Sequence, residues 1–173
     1  MFKARALGLL IAGPLLAASA AHADKAQDIA AVQNFRLTDD FLAKYQAVED
    51  DIVKDPCRLA PLGVLKGGNK SLDQMVAAYD AQPAVHAMLA RHGLSAREQI
   101  LGMLTLTFAG LEIAQQERLP GAVHSNDTMP PISPENLAFY KAHEAALKQH
   151  IVATARQQLA ANHGKLPACT MHQ

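Results

Sequence analysis

The sequence contains none of the short motifs that mark common catalytic and metal centres. It has no C-x-x-C pair, which leaves thiol-redox and metal-thiolate chemistry without support, and no C-x-x-C-H, the signature of covalently attached haem. It also has no G-x-S-x-G, the turn that presents the serine of many hydrolases. The sequence therefore predicts no catalytic residue and no metal site, and it favours a protein that is not an enzyme.

Patterns typical of β-structure are missing too. No stretch alternates polar and apolar residues, and there is no internal repeat or low-complexity run. Apolar residues recur instead at spacings of three and four, as they do on one face of a helix. The sequence predicts an all-α fold, namely a single-domain helical bundle over residues 24–173. We expect four to six helices, a long C-terminal helix and one disulfide.

The first 23 residues have the features of a secretory signal peptide. A positively charged start is followed by an apolar stretch, Ala6 to Leu16, that is too short to span a bilayer. Ala21-His22-Ala23 matches an A-x-A cleavage site, so the mature chain is predicted to begin at Asp24. No cysteine lies beside this site, and we expect a periplasmic or secreted protein with no stable membrane anchor. A retained N-terminal anchor is the alternative.

Neither sign of charge predominates in the sequence. The 16 basic and 16 acidic residues cancel, and loss of Lys3 and Arg5 with the signal peptide leaves a net charge of −2 with histidine neutral. This charge is small and evenly spread, which argues against a surface for nucleic acid or for anionic membranes.

Cys57 and Cys169 are the only cysteines. Because export leads to an oxidising compartment, we expect them to form a disulfide. It would close a loop of about 110 residues, worth about 4–5 kcal/mol in the chain-entropy treatment. The irregular connection from Cys57 to Lys70 is long enough for a crossover in the bundle. A metal-binding thiolate and a redox pair are the alternatives.

Helix starts are marked by side chains that cap the first turn. The capping residues are Thr38, Ser71, Ser95 and Ser133. Gln or Glu follows both Ser71 and Ser95 three residues later, which completes a capping box. Proline favours the first helical position, so a further short helix is predicted over Pro83–Arg91, and Gly93 suits a Schellman ending.

The helix after Ser95 is predicted to form the centre of the core. From Ile100 to Ala114 its only charged residue is Glu112, so other elements must cover it. The last helix, from Pro134 to about His163, would span about 45 Å and is long enough to contact every other helix. The spacing of apolar residues predicts a helical turn or two over residues 24–35. Residues 119–132 are predicted to form an irregular loop.

Small and polar residues form one stripe on the central helix. They are Gly102, Thr105, Ala109, Glu112 and Gln116. The simplest interpretation is that the stripe faces solvent. It would alternatively allow another helix to approach closely, or line a pocket with Glu112 as its acid, in which case burial would raise the pKa of that carboxyl.

Histidine and methionine are the other candidate ligands. No two histidines have the i, i+3 or i, i+4 spacing of a helical metal site, and His143 and His150 are seven residues apart. Non-covalent haem would use a histidine with a methionine. The candidates are His86, His143 or His150 with Met75 or Met103. The tail Cys169–His172 offers copper-compatible side chains, whereas His124–Asp127 is more simply a turn than a triad.

Part of the chain resembles a known pattern. The segment SLDQMVAAYDAQPAVHAMLARHGLSAREQILGMLTL, followed by ISPENLAFYKAHE, is similar to a sequence pattern of small exported bacterial helical proteins. It covers about half of the mature chain. The resemblance implies a helical fold and export, and it implies no activity.

The leading hypothesis is an exported, non-enzymatic binding protein whose partner is another protein or a small apolar ligand between helices. The residues proposed to bind the ligand are Glu112, Thr105, His143, His150 and Met103. An exposed apolar patch would indicate a protein partner, and an apolar cavity a small ligand. The alternative is a haem- or metal-binding periplasmic bundle. An enzyme built on Glu112 requires that carboxylate to be buried beside a histidine.

Overall fold

The computed structural model describes residues 15–60, 70–118, 130–165 and 167, with side chains from residue 25 onward. Every regular element in these residues is an α-helix, which confirms the all-α prediction. The helices are α1 (Leu15–Asn34), α2 (Asp39–Lys54), α3 (Pro56–Leu59), α4 (Leu72–Asp80), α5 (Pro83–Arg91), α6 (Ala96–Arg118) and α7 (Pro134–Ala161).

These seven helices exceed the predicted four to six. Pro56 follows the end of α2 and also occupies the first helical position of α3, a single turn that the sequence did not predict. Helix α1 is longer than the predicted turn or two, since it begins at Leu15 and runs through the predicted cleavage site. Its last turn is held by burial of Val32 and by an edge-to-face contact at 5.2 Å between Phe35 and Phe41.

The predicted caps are present at the helix starts. Thr38, Ser71, Ser95 and Ser133 each accept a hydrogen bond from the backbone amide three residues later. Gln74 and Glu98 return a bond to the amide of their capping serine, so both capping boxes are complete. At the end of α5, Gly93 has φ +66° and Leu94 N–H donates to Leu89 O, as the Schellman prediction requires.

Helix α6 lies at the centre and packs against α1, α2, α4, α5 and α7. The first three residues of its stripe of small and polar residues do not face solvent. Gly102, Thr105 and Ala109 are buried, and a Cβ at Gly102 would overlap the Phe41 ring of α2. The stripe therefore allows close helix approach, and the interpretation as a solvent-facing strip was wrong for these residues.

A buried asparagine joins the start of α7 to the turn between α1 and α2. Asn136 in the first turn of α7 is 1% exposed. Its Oδ1 accepts from Leu37 N at 2.9 Å and its Nδ2 donates to Phe35 O at 2.7 Å. These bonds satisfy the Leu37 amide and the Phe35 carbonyl in the turn between α1 and α2.

Asp51 connects α2 to the corner between α5 and α6. Its carboxylate contacts His92 Nε2 at 2.9 Å and accepts from Arg91 at 3.2 Å and from Lys54 at 2.9 Å. These hydrogen bonds, that of His92 first, hold the pKa of Asp51 well below its usual range. The ionised carboxylate therefore stabilises this corner.

Helix α7 packs on α2 and α6 rather than on every helix. It ends at Ala161, two residues before the predicted end, where His163 and Gly164 take positive φ. Ile151 and Leu159, which follow the buried Leu147 at helical spacing, are exposed. The second half of α7 thus extends beyond the core that its first half helps to form.

Candidate functional site

A cavity of about 340 Å³ lies between α2, α6 and α7. This volume lies within the range of small-molecule sites. Helix α2 contributes Tyr45 and Glu49. Helix α6 contributes Met103, Leu106, Thr107, Gly110 and Leu111. Helix α7 contributes Tyr140, Leu147, His150, Ile151 and Thr154. The lining is mainly aliphatic and aromatic, with few polar groups.

Two features of α6 and α7 shape the cavity. Gly110 has no side chain, and a Cβ there would lie 2.7 Å from Tyr140 Oη, so the glycine makes room for the phenol. Leu111 and Ile151 are 45% and 62% exposed although both line the cavity. The cavity therefore opens to solvent beside two large apolar side chains.

The acidic group of the cavity is Glu49. Burial raises the pKa of its carboxyl, Asp50 raises it further, and the hydrogen bond from the Tyr45 hydroxyl partly opposes this shift. Burial and then the Glu49 charge likewise raise the pKa values of Tyr45 and Tyr79. No lysine or arginine is among the lining residues that the structure describes, so these residues offer the carboxylate no permanent countercharge.

His150 supplies the second polar group. Its Nε2 is buried and has no hydrogen-bond partner in the described part of the chain. Asp50 Oδ1 lies 3.9 Å away, which is beyond hydrogen-bond distance. A buried ring nitrogen without a partner costs free energy, and a ligand in the cavity can remove that cost.

The structure brings two of the five predicted ligand-binding residues into one cavity, namely Met103 and His150. Thr105 does not line it, since the side chain is buried and donates to Leu101 O at 2.8 Å. Glu112, which is half-buried and accepts from Gln116 at 3.2 Å, is also absent from the lining. The pocket with Glu112 as its acid therefore does not form here.

His143 has contacts of its own outside the cavity. Its ring stacks on Phe139 with centroids 4.1 Å apart, Nδ1 lies 2.9 Å from Phe139 O and Nε2 lies 2.9 Å from Asp39. These contacts tie α7 to the start of α2.

Glu49, the acid that does line the cavity, was not among the candidate residues. It belongs to the run Glu49-Asp50-Asp51, which has the composition of a solvated helix surface. The available signal was its position one turn after Tyr45, which falls at helical spacing with Phe41, Val48 and Ile52 and so belongs to one apolar face. Residues four apart on a helix share a face, so Glu49 follows Tyr45 toward the interior.

The candidate metal and haem ligands are only partly brought together. No group of three or more His, Cys, Asp or Glu residues in the described ranges is arranged to hold a metal ion. His86 is exposed on α5 and Met75 is half-buried on α4, so among the haem candidates only His150 and Met103 share the cavity. The Cys169–His172 tail and the His124–Asp127 turn lie outside the described residues.

The predicted disulfide likewise has one end outside the described residues, at Cys169. Cys57 is exposed on α3 and is not a free thiol. None of the helices in the described ranges combines the length and apolarity needed to cross a membrane. Comparison of the chain with protein-family models, curated proteins and solved structures gives no match.

Proposed function

We propose that the protein binds a small, largely apolar ligand in the cavity between α2, α6 and α7. The supporting observation is an apolar cavity of ligand size that opens beside the exposed side chains of Leu111 and Ile151. Large apolar side chains at the opening of a cavity cost free energy in water, and a bound apolar ligand would cover them. A concave site favours a small ligand over a protein partner, which would need a broader surface.

Haem binding is the second candidate. It is favoured by the presence of His150 and Met103 on the walls of one cavity, since histidine and methionine together form a known type of axial pair. A Soret band in protein purified from an exporting host, lost in His150→Ala and kept in the exposed control His86→Ala, would support haem over the apolar ligand.

Export belongs to the same proposal. A signal peptide over residues 1–23 would place the mature protein, from Asp24, in the periplasm or outside the cell, and a Cys57–Cys169 disulfide would form there. Intact mass spectrometry tests both points. The expected mass is that of residues 24–173 less two hydrogen atoms, which are lost as two protons and two electrons on oxidation, and reduction should restore them.

Binding is tested with N-phenyl-1-naphthylamine, a neutral apolar probe whose fluorescence rises when it leaves water. We expect a single site with a Kd of about 1–100 μM. Thr154 lines the cavity, so Thr154→Trp should fill part of it and weaken probe binding at least tenfold. The control is Ala153→Trp, which places the same side chain at an exposed position one residue away.

The two tryptophan variants decide the result. The proposal is supported when Ala153→Trp binds the probe like the wild type and Thr154→Trp does not, with equal helicity by circular dichroism. It fails when the wild type does not bind the probe, or when both variants bind it equally well.

A further inference from the structure

The polar groups of the cavity restrict the chemistry of its ligand. Among the described residues of the lining, Glu49 is the one acidic residue, and no lysine or arginine accompanies it. We infer that the ligand is an amphipathic amine, whose ammonium group pairs with the Glu49 carboxylate while its apolar part fills the space along α6 and α7. This inference rests on the proposed function, because it requires that the cavity binds a ligand.

The charges around Glu49 favour a cation over an anion. The nearest described influences on the carboxyl are the Tyr45 hydroxyl and the negative charge of Asp50. Tyr79 also lies close enough for the Glu49 charge to raise the pKa of its phenol. A ligand carboxylate would meet this negative potential without a cation to bind it, whereas an ammonium group would supply the missing countercharge.

His150 fits the same kind of ligand. Its Nε2 is buried without a hydrogen-bond partner in the described residues, and the neutral ring presents this nitrogen as an acceptor when its proton is on Nδ1. An ammonium group has three donors. One of these N–H groups can donate to the Glu49 carboxylate. The His150 ring nitrogen and the Tyr45 hydroxyl oxygen are further acceptors in the same lining.

The experiment compares ligands that differ only in the head group. Octylamine, octanol and octanoate compete with N-phenyl-1-naphthylamine for the wild-type protein at pH 7. We expect octylamine to displace the probe at a concentration at least tenfold lower than octanol requires, and octanoate to be the weakest competitor. Glu49→Gln should reduce the advantage of the amine over the alcohol to less than about threefold.

A matched variant controls for the loss of one negative charge. Glu117→Gln makes the same substitution at an exposed position near the end of α6, outside the cavity, and should keep the full preference for the amine. The inference is overturned if octanoate competes as well as octylamine, or if Glu49→Gln keeps the preference. Octanol competing as well as octylamine would also overturn it.

Failure of this inference differs from failure of the proposed function. If the wild type does not bind the probe at all, the cavity is not a binding site and the proposed function fails. If the probe binds and Thr154→Trp abolishes binding, but the three head groups compete equally, the site binds apolar ligands and only the amine assignment fails.

A pH series adds a second readout. The titratable groups around the site are Glu49, Tyr45 and Asp50 of α2, Tyr79 of α4, and Tyr140 and His150 of α7, while the α6 wall has none. Burial raises the pKa of Glu49, and protonation of this carboxylate removes the charge that pairs with the ammonium group, so amine binding should weaken as the pH falls. Glu49→Gln has no carboxyl to protonate, so its preference for the amine should depend less on pH. An unchanged pH dependence would overturn the role of Glu49.

Discussion

Replacement of Asn136 by alanine should destabilise the fold by about 2–4 kcal/mol. The side chain is 1% exposed and forms two hydrogen bonds, to Leu37 N at 2.9 Å and Phe35 O at 2.7 Å. Each lost bond is worth about 1 kcal/mol. The Leu37 amide would become a buried donor without a partner, which adds about 1–3 kcal/mol to the loss. Water can reach the carbonyl of half-buried Phe35, and this reduces the total.

Urea unfolding measures this loss. The sequence has no tryptophan, so circular dichroism at 222 nm is the natural signal for a helical protein. With a denaturant slope of about 2 kcal/mol per M, the midpoint should fall by about 1–2 M. The control Gln149→Ala, at an exposed position of α7, should change the free energy of unfolding by less than about 0.5 kcal/mol. A loss at Asn136 no larger than this would refute the reasoning.

Three further predictions concern α6, the Asp51 contacts and Glu49. Gly102→Ala should lower the free energy of unfolding by about 1–3 kcal/mol, because the added methyl group overlaps the Phe41 ring. A variant as stable as the wild type in a urea titration would contradict this. Asp51→Asn should cost about 1 kcal/mol at pH 7. The pKa of Asp51 is lowered by its hydrogen bonds, so this stabilisation is present above about pH 4 and declines as the pH falls through the folded-state pKa. Thermal melts at pH 7 and pH 3 measure the difference, and an equal loss at both would contradict it. Glu49→Gln should raise stability at pH 7 by about 0.5–1 kcal/mol. Burial raises the pKa of Glu49, so the wild type loses stability as the pH rises through that pKa, and the gain of the variant should vanish near pH 4.

The helix starts were predictable because the signals that set them are local. Ser71 and Gln74 are three residues apart, and they satisfy each other's backbone amides whatever surrounds α4. The same applies to the Schellman ending at Gly93. The extra helix α3 escaped prediction because one proline serves as both a stop and a start, and a four-residue helix has too few positions to show a period.

The burial of the α6 stripe was not predictable in the same way. Its spacing shows that Gly102, Thr105 and Ala109 share a face, but not which element covers that face. The covering residue is Phe41, about 60 positions earlier in the chain. A stripe of small residues is compatible both with solvent and with a close neighbour, and only the tertiary contact decides between them.

The site illustrates the same limit within one helix. Glu49, Asp50 and Asp51 look equivalent in the sequence, yet successive residues on a helix are turned by about 100° from one another. Glu49 therefore lines the cavity, Asp50 is exposed, and Asp51 binds His92 of the α5–α6 corner. Met103 and His150 were recognised as candidates from their chemistry. Glu49 joins them in one cavity because α2 packs against both α6 and α7, which the sequence does not show.

Glu49→Gln should raise the stability of the protein and weaken its binding of an amine, and this combination separates a structural role from a binding role. A carboxyl that served the fold would lower stability when replaced, as expected for Asp51, whose partners keep its pKa low. Burial raises the pKa of Glu49 instead, so its ionised form opposes folding while the cavity is empty. An ammonium ligand would reverse that cost by supplying a countercharge. If Glu49→Gln gains stability in the absence of ligand and also loses the preference for octylamine, the carboxyl acts in binding. A loss of stability in the same variant would assign it to the fold.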